Sequence, residues 1–269
     1  MAGMERAPQG VDPNVPNSAR VYDYLLGGKD NYEVDRAVAH RMLSIAPDTR
    51  TLAWFSRKFL VNAVQLAAEA GVRQFIDLGA GIPTSPNVHE IAHKIDPSAR
   101  VVYLDFDPVV YAHCNALLAH AEGVTAMLGD VRRPDDILDR LKSGGLIDFD
   151  EPVAITLVGV LHFVMDDEHP AEIVARLGAA MAPGSYLAFT HGSDNSDPAF
   201  ITQSSSDTAN SSAQVVYRSA AVVESFFQGF DLLDPGVVPL QRWLGDELPD
   251  TGLVLLGGVA RKLAKAPAD

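Results

Sequence analysis

The sequence is short of cysteine, of basic residues and of long apolar runs, and each shortage excludes something. Its 269 residues include one cysteine, Cys114, so neither an intramolecular disulfide nor a cysteine-based zinc site can form, and a reducing compartment is expected. Lys and Arg total 21 against 35 Asp and Glu, a net charge of −14. That balance argues against a broad basic face of the kind phosphate neutralisation requires, so nucleic acid is not an expected partner. The longest apolar run, Pro152 to Met165, falls short of the roughly 20 residues a bilayer span needs and reads as a buried strand. The opening MAGMERAPQGVDPN is polar, without the apolar core of a secretory signal. A cytoplasmic protein with no membrane partner is the expectation. The 21 glycines and 17 prolines follow no period, which excludes collagen-like and solenoid folds. What remains is ordinary globular composition, 47% hydrophobic and 21% charged, on a chain long enough for a sizeable core.

Residues 1–17 read as a flexible lead-in and 18–71 as an all-helical cap integral to the fold, followed by an α/β domain over 72–265. In the cap, Ser18 can start a first helix, Asp30 with Glu33 fits a capping box for a second, and Asp48 or Thr49 can open a third. Apolar runs at 73–78, 100–105, 124–128, 153–160 and 185–190 predict strands, with helical segments between them near 85–95, 108–120, 135–142 and 168–181. Such alternation predicts a mostly parallel sheet covered on both faces. Residues 192–212, crowded with Ser, Asp and Asn, read as a long loop, 213–228 as a helix, and the last two strands as an antiparallel pair.

The chemistry concentrates at the ends of the first three strands. Asp77-Leu78-Gly79-Ala80-Gly81 places two glycines at a strand-to-helix turn, where backbone can approach a ligand. A dinucleotide fingerprint would continue to a third glycine or alanine, but Thr84 stands there. Asp77 would repel a pyrophosphate and attract an ammonium. Asp105, 24 residues past Gly81, ends the second strand and can accept from both hydroxyls of a ribose, with Phe106 beside it. Asp107 is the second candidate, although Asp107-Pro108 also reads as a helix cap followed by proline. At the third strand's end, the Asp130 carboxylate can meet an adenine amine and the Val131 N–H a ring nitrogen, or Asp130 is simply a turn residue. Acids at three successive strand ends select S-adenosylmethionine over NAD.

With SARVYDYLLGGKDNYEVDR at 18–36, FIDLGAGIPTSPNVHEIA at 75–92, VVYLDFDPVV at 101–110, GDVRRP at 129–134, PVAITLVGVLHFV at 152–164 and PGVVPLQRW at 235–243, the chain resembles the S-adenosylmethionine-dependent methyltransferases of class I fold. Within them it is most similar to the actinobacterial DUF574 family. The resemblance covers nearly everything after residue 17. It implies a Rossmann-like sheet of seven strands, mostly parallel with an antiparallel last strand, and S-adenosylmethionine as cofactor. It also implies a helical lid over the cofactor, with Tyr22, Gly28, Lys29 and Asn31 as binding candidates: a tyrosine face near the sulfonium and Asn31 or Lys29 near the carboxylate, where the alternative is that the glycines only end a helix and the tyrosines only pack. The methyl acceptor is expected to be a small molecule held between the cap and the 192–212 segment.

His162, past the fourth strand, and His191, at the end of the fifth, are the candidate bases for deprotonating an acceptor, or else hydrogen-bonded structural histidines. His89-Glu90-Ile91-Ala92-His93 formally matches a zinc-peptidase motif. The metzincin continuation fails at Asp96 and Ala99, and Ser85-Pro86 reads as the start of an ordinary helix, so no metal is expected. The alternative to an enzyme is a non-catalytic protein that binds S-adenosylmethionine as a signal or structural ligand.

Overall fold

Helix starts in the cap are set by side chains that satisfy free backbone N–H groups. The computed structural model describes residues 12–208, 214–245 and 248–263, so part of the expected lead-in, 1–11, lies outside them. Helix α1 (Ser18–Leu25) is capped by Asn17 rather than Ser18, its side chain accepting from Ala19 and Arg20 N–H. Helix α2 (Glu33–Ile45) begins later than the Asp30 box predicts, because Asp35 makes the return bond to the Tyr32 N–H at 2.8 Å. Asp35 also accepts from the Asn17 N–H and Arg20 Nε, so one fully buried carboxylate joins the starts of both helices. Helix α3 (Thr49–Glu69) buries Leu52, Phe55, Phe59, Leu60, Ala63, Val64 and Ala67 on one side, as the periodicity predicts. Asp48 caps nothing with its side chain and instead accepts from the Gly252 N–H.

The alternating region follows. Strand β1 (Gln74–Leu78) leads to α4 (Val88–Ile95), β2 (Arg100–Asp105) to α5 (Pro108–Leu117), and β3 (Val124–Leu128) to α6 (Pro134–Ser143). Strand β4 (Ala154–Leu157) passes through two short 3-10 turns, Leu161–Phe163 and Asp166–Glu168, into α7 (Pro170–Ala180) and β5 (Tyr186–Gly192). The last part holds α8 (Pro198–Thr208), α9 (Ala220–Ser225), β6 (Phe230–Leu232), β7 (Val238–Pro239), α10 (Leu240–Leu244) and β8 (Leu255–Lys262). None of the described helices is long and apolar enough to cross a membrane.

Seven of the described strands run along one path, β3-β2-β1-β4-β5-β8-β6, with β1 to β5 parallel and β8 antiparallel to both neighbours. The two-residue β7 adds an eighth strand, also paired with β8. Alternate strand residues go to opposite faces. Phe75, Val101, Tyr103, Ala154 and Ala188 pack with α3, α4, α5 and α10, whereas Ile76, Val102, Leu104, Ile155 and Leu187 pack with α6, α7 and α9.

Three expectations need correction. Residues 192–212 are not all loop, since α8 lies within them and 209–212 fall outside the described residues. Asp197 starts α8 by accepting from the Ala199 and Phe200 N–H groups, and Phe200 anchors it in the core. The predicted helix at 213–228 shrinks to α9, because the backbone before it pairs as extended chain. Val216 N–H donates to His162 O and Arg218 N–H to Gly192 O. Helix α4 starts at Asn87, with Glu90 accepting from the Asn87 N–H and the Ser85 hydroxyl.

Candidate cofactor and acceptor site

The C-terminal edge of the parallel strands brings the three acids and the glycine turn together. Gly79 and Ala80 N–H both donate to Leu104 O, at 2.7 and 3.1 Å, which binds the turn to β2. Gly79 and Gly81 have φ of 73° and 66°, the left-handed region. A Cβ on Gly79 would lie 2.3 Å from Val160 Cγ2, so this glycine is needed for packing. One on Gly81 would meet nothing within 4 Å, so Gly81 is the position that leaves room for a ligand. Beneath the turn, buried Asp77 accepts from Thr156 Oγ1 at 2.7 Å. Burial raises the Asp77 pKa, against the opposing pull of that hydroxyl and of the Arg57 guanidinium.

Asp105 is 7% exposed and accepts from the Gly81 N–H through one oxygen and the Asp107 N–H through the other, both at 3.0 Å. Burial outweighs those bonds and pushes its pKa up to about 6. Each carboxylate oxygen retains a lone pair for a further donor. Asp107 is occupied differently, capping α5 through Val109 N–H at 2.7 Å while Asn17 Nδ2 donates to its other oxygen. Phe106 between them is 44% exposed. Asp130 is gripped by Arg132, whose Nε lies 2.9 and 3.0 Å from its two oxygens. Burial would raise the Asp130 pKa, but Arg132 holds it below the usual carboxylate range. Val131 is half-buried against the α6–α7 side of the core.

The cap residues divide. Tyr22 donates to Ala53 O at 3.0 Å, and burial raises its phenol pKa. Gly28 and Asn31 build the turn between α1 and α2. A Cβ on Gly28 would run into the Asp23 carboxylate, which accepts from the Asp30 N–H and Asn31 Nδ2. Asn31 Nδ2 also donates to Gly28 O, and its Oδ1 accepts from Arg36. Its amide is therefore committed to the turn and leaves no group free for a cofactor carboxylate. Lys29 is exposed. The cation whose charge acts on Asp77 is Arg57 of α3, which the sequence reading missed. Its Nη2 donates to Thr84 O and Pro86 O, and its charge acts on Asp77, Tyr22 and Tyr103. The available signal was a lone cation on the apolar stripe Ala53, Leu60, Val64.

His191 is fully buried and clamped. Its Nδ1 lies 2.8 Å from Gly192 O and so carries the proton, leaving Nε2 to accept from Arg218 Nη1 at 2.8 Å. That lone pair is occupied by Arg218, which leaves His191 no free nitrogen to act as a base; burial also brings its pKa down to about 4. Arg218, also unforeseen, donates further to Leu161 O, Val164 O and Asp166, tying β5 to both 3-10 turns. His162 differs: its Nδ1 is buried without a partner among the described residues. Burial, with smaller contributions from His191 and Arg218, lowers its pKa to about 3. His89 and His93 are engaged elsewhere, with Tyr103 OH and Ala99 O at 2.9 Å each.

A family model described as S-adenosyl methyltransferase matches residues 4–263. The chain belongs to that family. It is a methyltransferase, and its cofactor is S-adenosylmethionine. A DUF574 family protein from Streptomyces avermitilis MA-4680 is 37% identical, with a TM-score of 0.87 over 93% of this chain and 99% of that one. A candidate methyltransferase from Thermobifida fusca YX is 41% identical, with a TM-score of 0.88 over 96% and 98%. The N-methyltransferase NodS from Bradyrhizobium japonicum WM9, solved with S-adenosylhomocysteine, shares the fold at a TM-score of 0.51 and 13% identity, over 90% and 98%. No curated protein matched the sequence. The methyltransferase's own residues fit its cofactor: the Asp77 carboxyl lies beneath an open glycine turn, within the field of the Arg57 guanidinium, and Asp105 stands at the next strand end.

Proposed function

We propose that the protein transfers the methyl group of S-adenosylmethionine to a hydroxyl, amine or carboxyl group of a small molecule. The acceptor lies between the cap and α8, which packs against α2. The cap at 18–71 and the α/β part at 72–265 act as one catalytic unit. The observation that carries this reading is His162, whose buried Nδ1 has no partner among the described residues, two residues beyond the Val160 side chain that touches the glycine turn.

In this reading Asp77 receives the cofactor's ammonium and Arg57 its carboxylate, in place of Asn31 and Lys29. Asp105 accepts from the ribose hydroxyls, while Phe106, Asp130 and the Val131 N–H surround the adenine. Tyr22 and the Gly28 turn close the cap above. Bound there, the cofactor supplies an electrophilic methyl group on a sulfonium. The protein's part is orientation and exclusion of water, because in-line transfer depends mainly on alignment. His162, neutral across the working pH range, would accept a hydrogen bond at Nδ1 from the acceptor's O–H or N–H, turning the acceptor's own lone pair toward the methyl and receiving the proton that the acceptor loses, for release to solvent. The acidic surface keeps the expectation of a small acceptor rather than nucleic acid.

The test is a product screen over small phenols, amines and carboxylates, with His162→Ala assayed on any hit. The expected result is a rate at saturating substrate reduced by about 100-fold, within the usual range for a positioned acid–base group. An unchanged rate would remove His162 from the reaction. Cofactor binding without turnover of any acceptor class is what a non-catalytic role requires.

A further inference from the structure

Arg218 spends every side-chain donor it has on one small region. Its Nη1 donates to Leu161 O at 3.3 Å and to His191 Nε2 at 2.8 Å, and its Nη2 to Val164 O at 2.8 Å and Asp166 Oδ1 at 2.6 Å. Its Nε donates to Asp166 Oδ1 at 3.1 Å, which accounts for the last of the guanidinium N–H groups. The side chain is 5% exposed and lies over the Phe226 ring. No donor is left over for a methyl acceptor, so Arg218 is not an anchor for one.

The two carbonyls it holds belong to Leu161 and Val164, which bracket His162 and Phe163. Between them, the His162 carbonyl accepts from the Val216 N–H at 2.8 Å. The turn that carries His162 has short-range bonds of its own, Phe163 N–H to Val160 O at 2.9 Å and Val164 N–H to Leu161 O at 3.3 Å. A 3-10 turn this short is weakly held by such bonds alone. The bracing segment, 216–218, is itself fixed at several points. Arg218 N–H donates to Gly192 O at 3.1 Å, Asp194 N–H donates to Arg218 O at 3.2 Å, and the Tyr217 hydroxyl lies 2.8 Å from Ser204 Oγ on α8. The His162 turn and the wall assigned to the acceptor therefore share one support. Burying a guanidinium carries a desolvation cost, and apolar packing could join these elements without it. Apolar side chains cannot fix the direction of two carbonyls, whereas a planar fork of donors does.

We propose that Arg218 is a positioning residue for methyl transfer, holding the His162 imidazole in place beside the acceptor through the carbonyls on either side of it. The proposal rests on the His162 reading above and deepens it. The groups that face His162 are the Phe163 ring, with centroids 4.4 Å apart, the His191 ring at 5.9 Å, and the Arg218 cation, itself paired with Asp166. Loosening the brace lets water reach the imidazole, and its titration then moves toward that of an ordinary histidine. Lysine supplies the same charge without the fork.

NMR of the full chain labelled at its 8 histidines tests this, with the His162 signal assigned by its loss in His162→Gln. In the unaltered protein that signal is expected to stay constant from about pH 8 to 5. Arg218→Lys should bring a His162 titration into that range, a rise of about two pH units or more. Asp166→Ala, at a side chain 80% exposed, should act in the same direction more weakly. Loss of an anion alone would lower a histidine's pKa, so a rise there reports loosening rather than charge. On any acceptor that the product screen finds, Arg218→Lys should cut kcat about ten-fold or more, with KM for S-adenosylmethionine within about two-fold. A His162 titration that stays flat in every variant that folds overturns the proposal. A His162 midpoint near the ordinary value of about 6.5 in the unaltered protein overturns it too, and needs no variant to fold. If Arg218 only holds the fold together, Arg218→Lys lowers Tm and leaves titration and kcat where they were. An unchanged rate in His162→Ala would instead remove the His162 reading, and the positioning role with it, whatever the titrations show.

Discussion

At Asp105, burial and hydrogen bonding pull in opposite directions, and burial prevails. With its pKa raised to about 6 in the folded chain against about 3.9 when unfolded, the group binds its proton more tightly in the native state. Its contribution to stability is therefore fully present below about pH 4 and is lost as pH rises through about 6. Ribose hydroxyls donating to the carboxylate favour its charged form, so cofactor affinity should rise between pH 5 and 7 with release of protons. Calorimetry in buffers of different ionisation enthalpy measures this directly, and affinity flat across that range would contradict the assignment. Asp105→Ala should weaken binding about ten- to a hundred-fold, or roughly 1.5–3 kcal/mol. Asp107→Ala should leave affinity nearly unchanged and cost about 1 kcal/mol of stability, read by urea denaturation, as the loss of a helix cap. The distinction between these two acids was legible because Asp-Pro is a local signal. Asn31 was not, since its partners Asp23 and Arg36 are set by how the cap turns back on itself.

Among the elements, the α1–α2 pair is joined by a buried ion pair. The Arg20 side chain is 4% exposed and Asp35 fully buried, at 2.8 Å. Asp35→Ala strands the guanidinium and removes acceptors from both helix starts, which should cost about 3–5 kcal/mol. The small cluster of Val21, Leu25, Ala39 and Ala53 rests these helices on α3, whose opposite stripe belongs to the main core. Loosening should therefore begin locally. Hydrogen exchange is expected to speed up across 18–45 in Asp35→Ala while β1 to β5 keep their protection. Uniform loss of protection would mean that the cap and sheet unfold as one. Helix α8 shows what composition conceals. Its serines and threonines suggest a loop, but Asp197-Pro198 carries the same cap signal as Asp107-Pro108, and one buried phenylalanine, Phe200, anchors the helix.

For the whole molecule, the sheet was legible because its strands are short apolar runs between turn residues, and their alternation with helices leaves few topologies. The extra strand β7 was not, because two residues carry no periodicity. The acids at the strand ends could be read from spacing, whereas Arg57 and Arg218 act on groups distant in sequence. The measurement that most directly tests the account is a crystal structure with S-adenosylhomocysteine bound. The ribose hydroxyls are expected on Asp105, the amino-acid carboxylate beside Arg57 and the ammonium toward Asp77, with His162 facing the side from which an acceptor approaches the sulfur. Ribose hydroxyls on Asp107, or a ligand seated away from the Gly79–Gly81 turn, would contradict it.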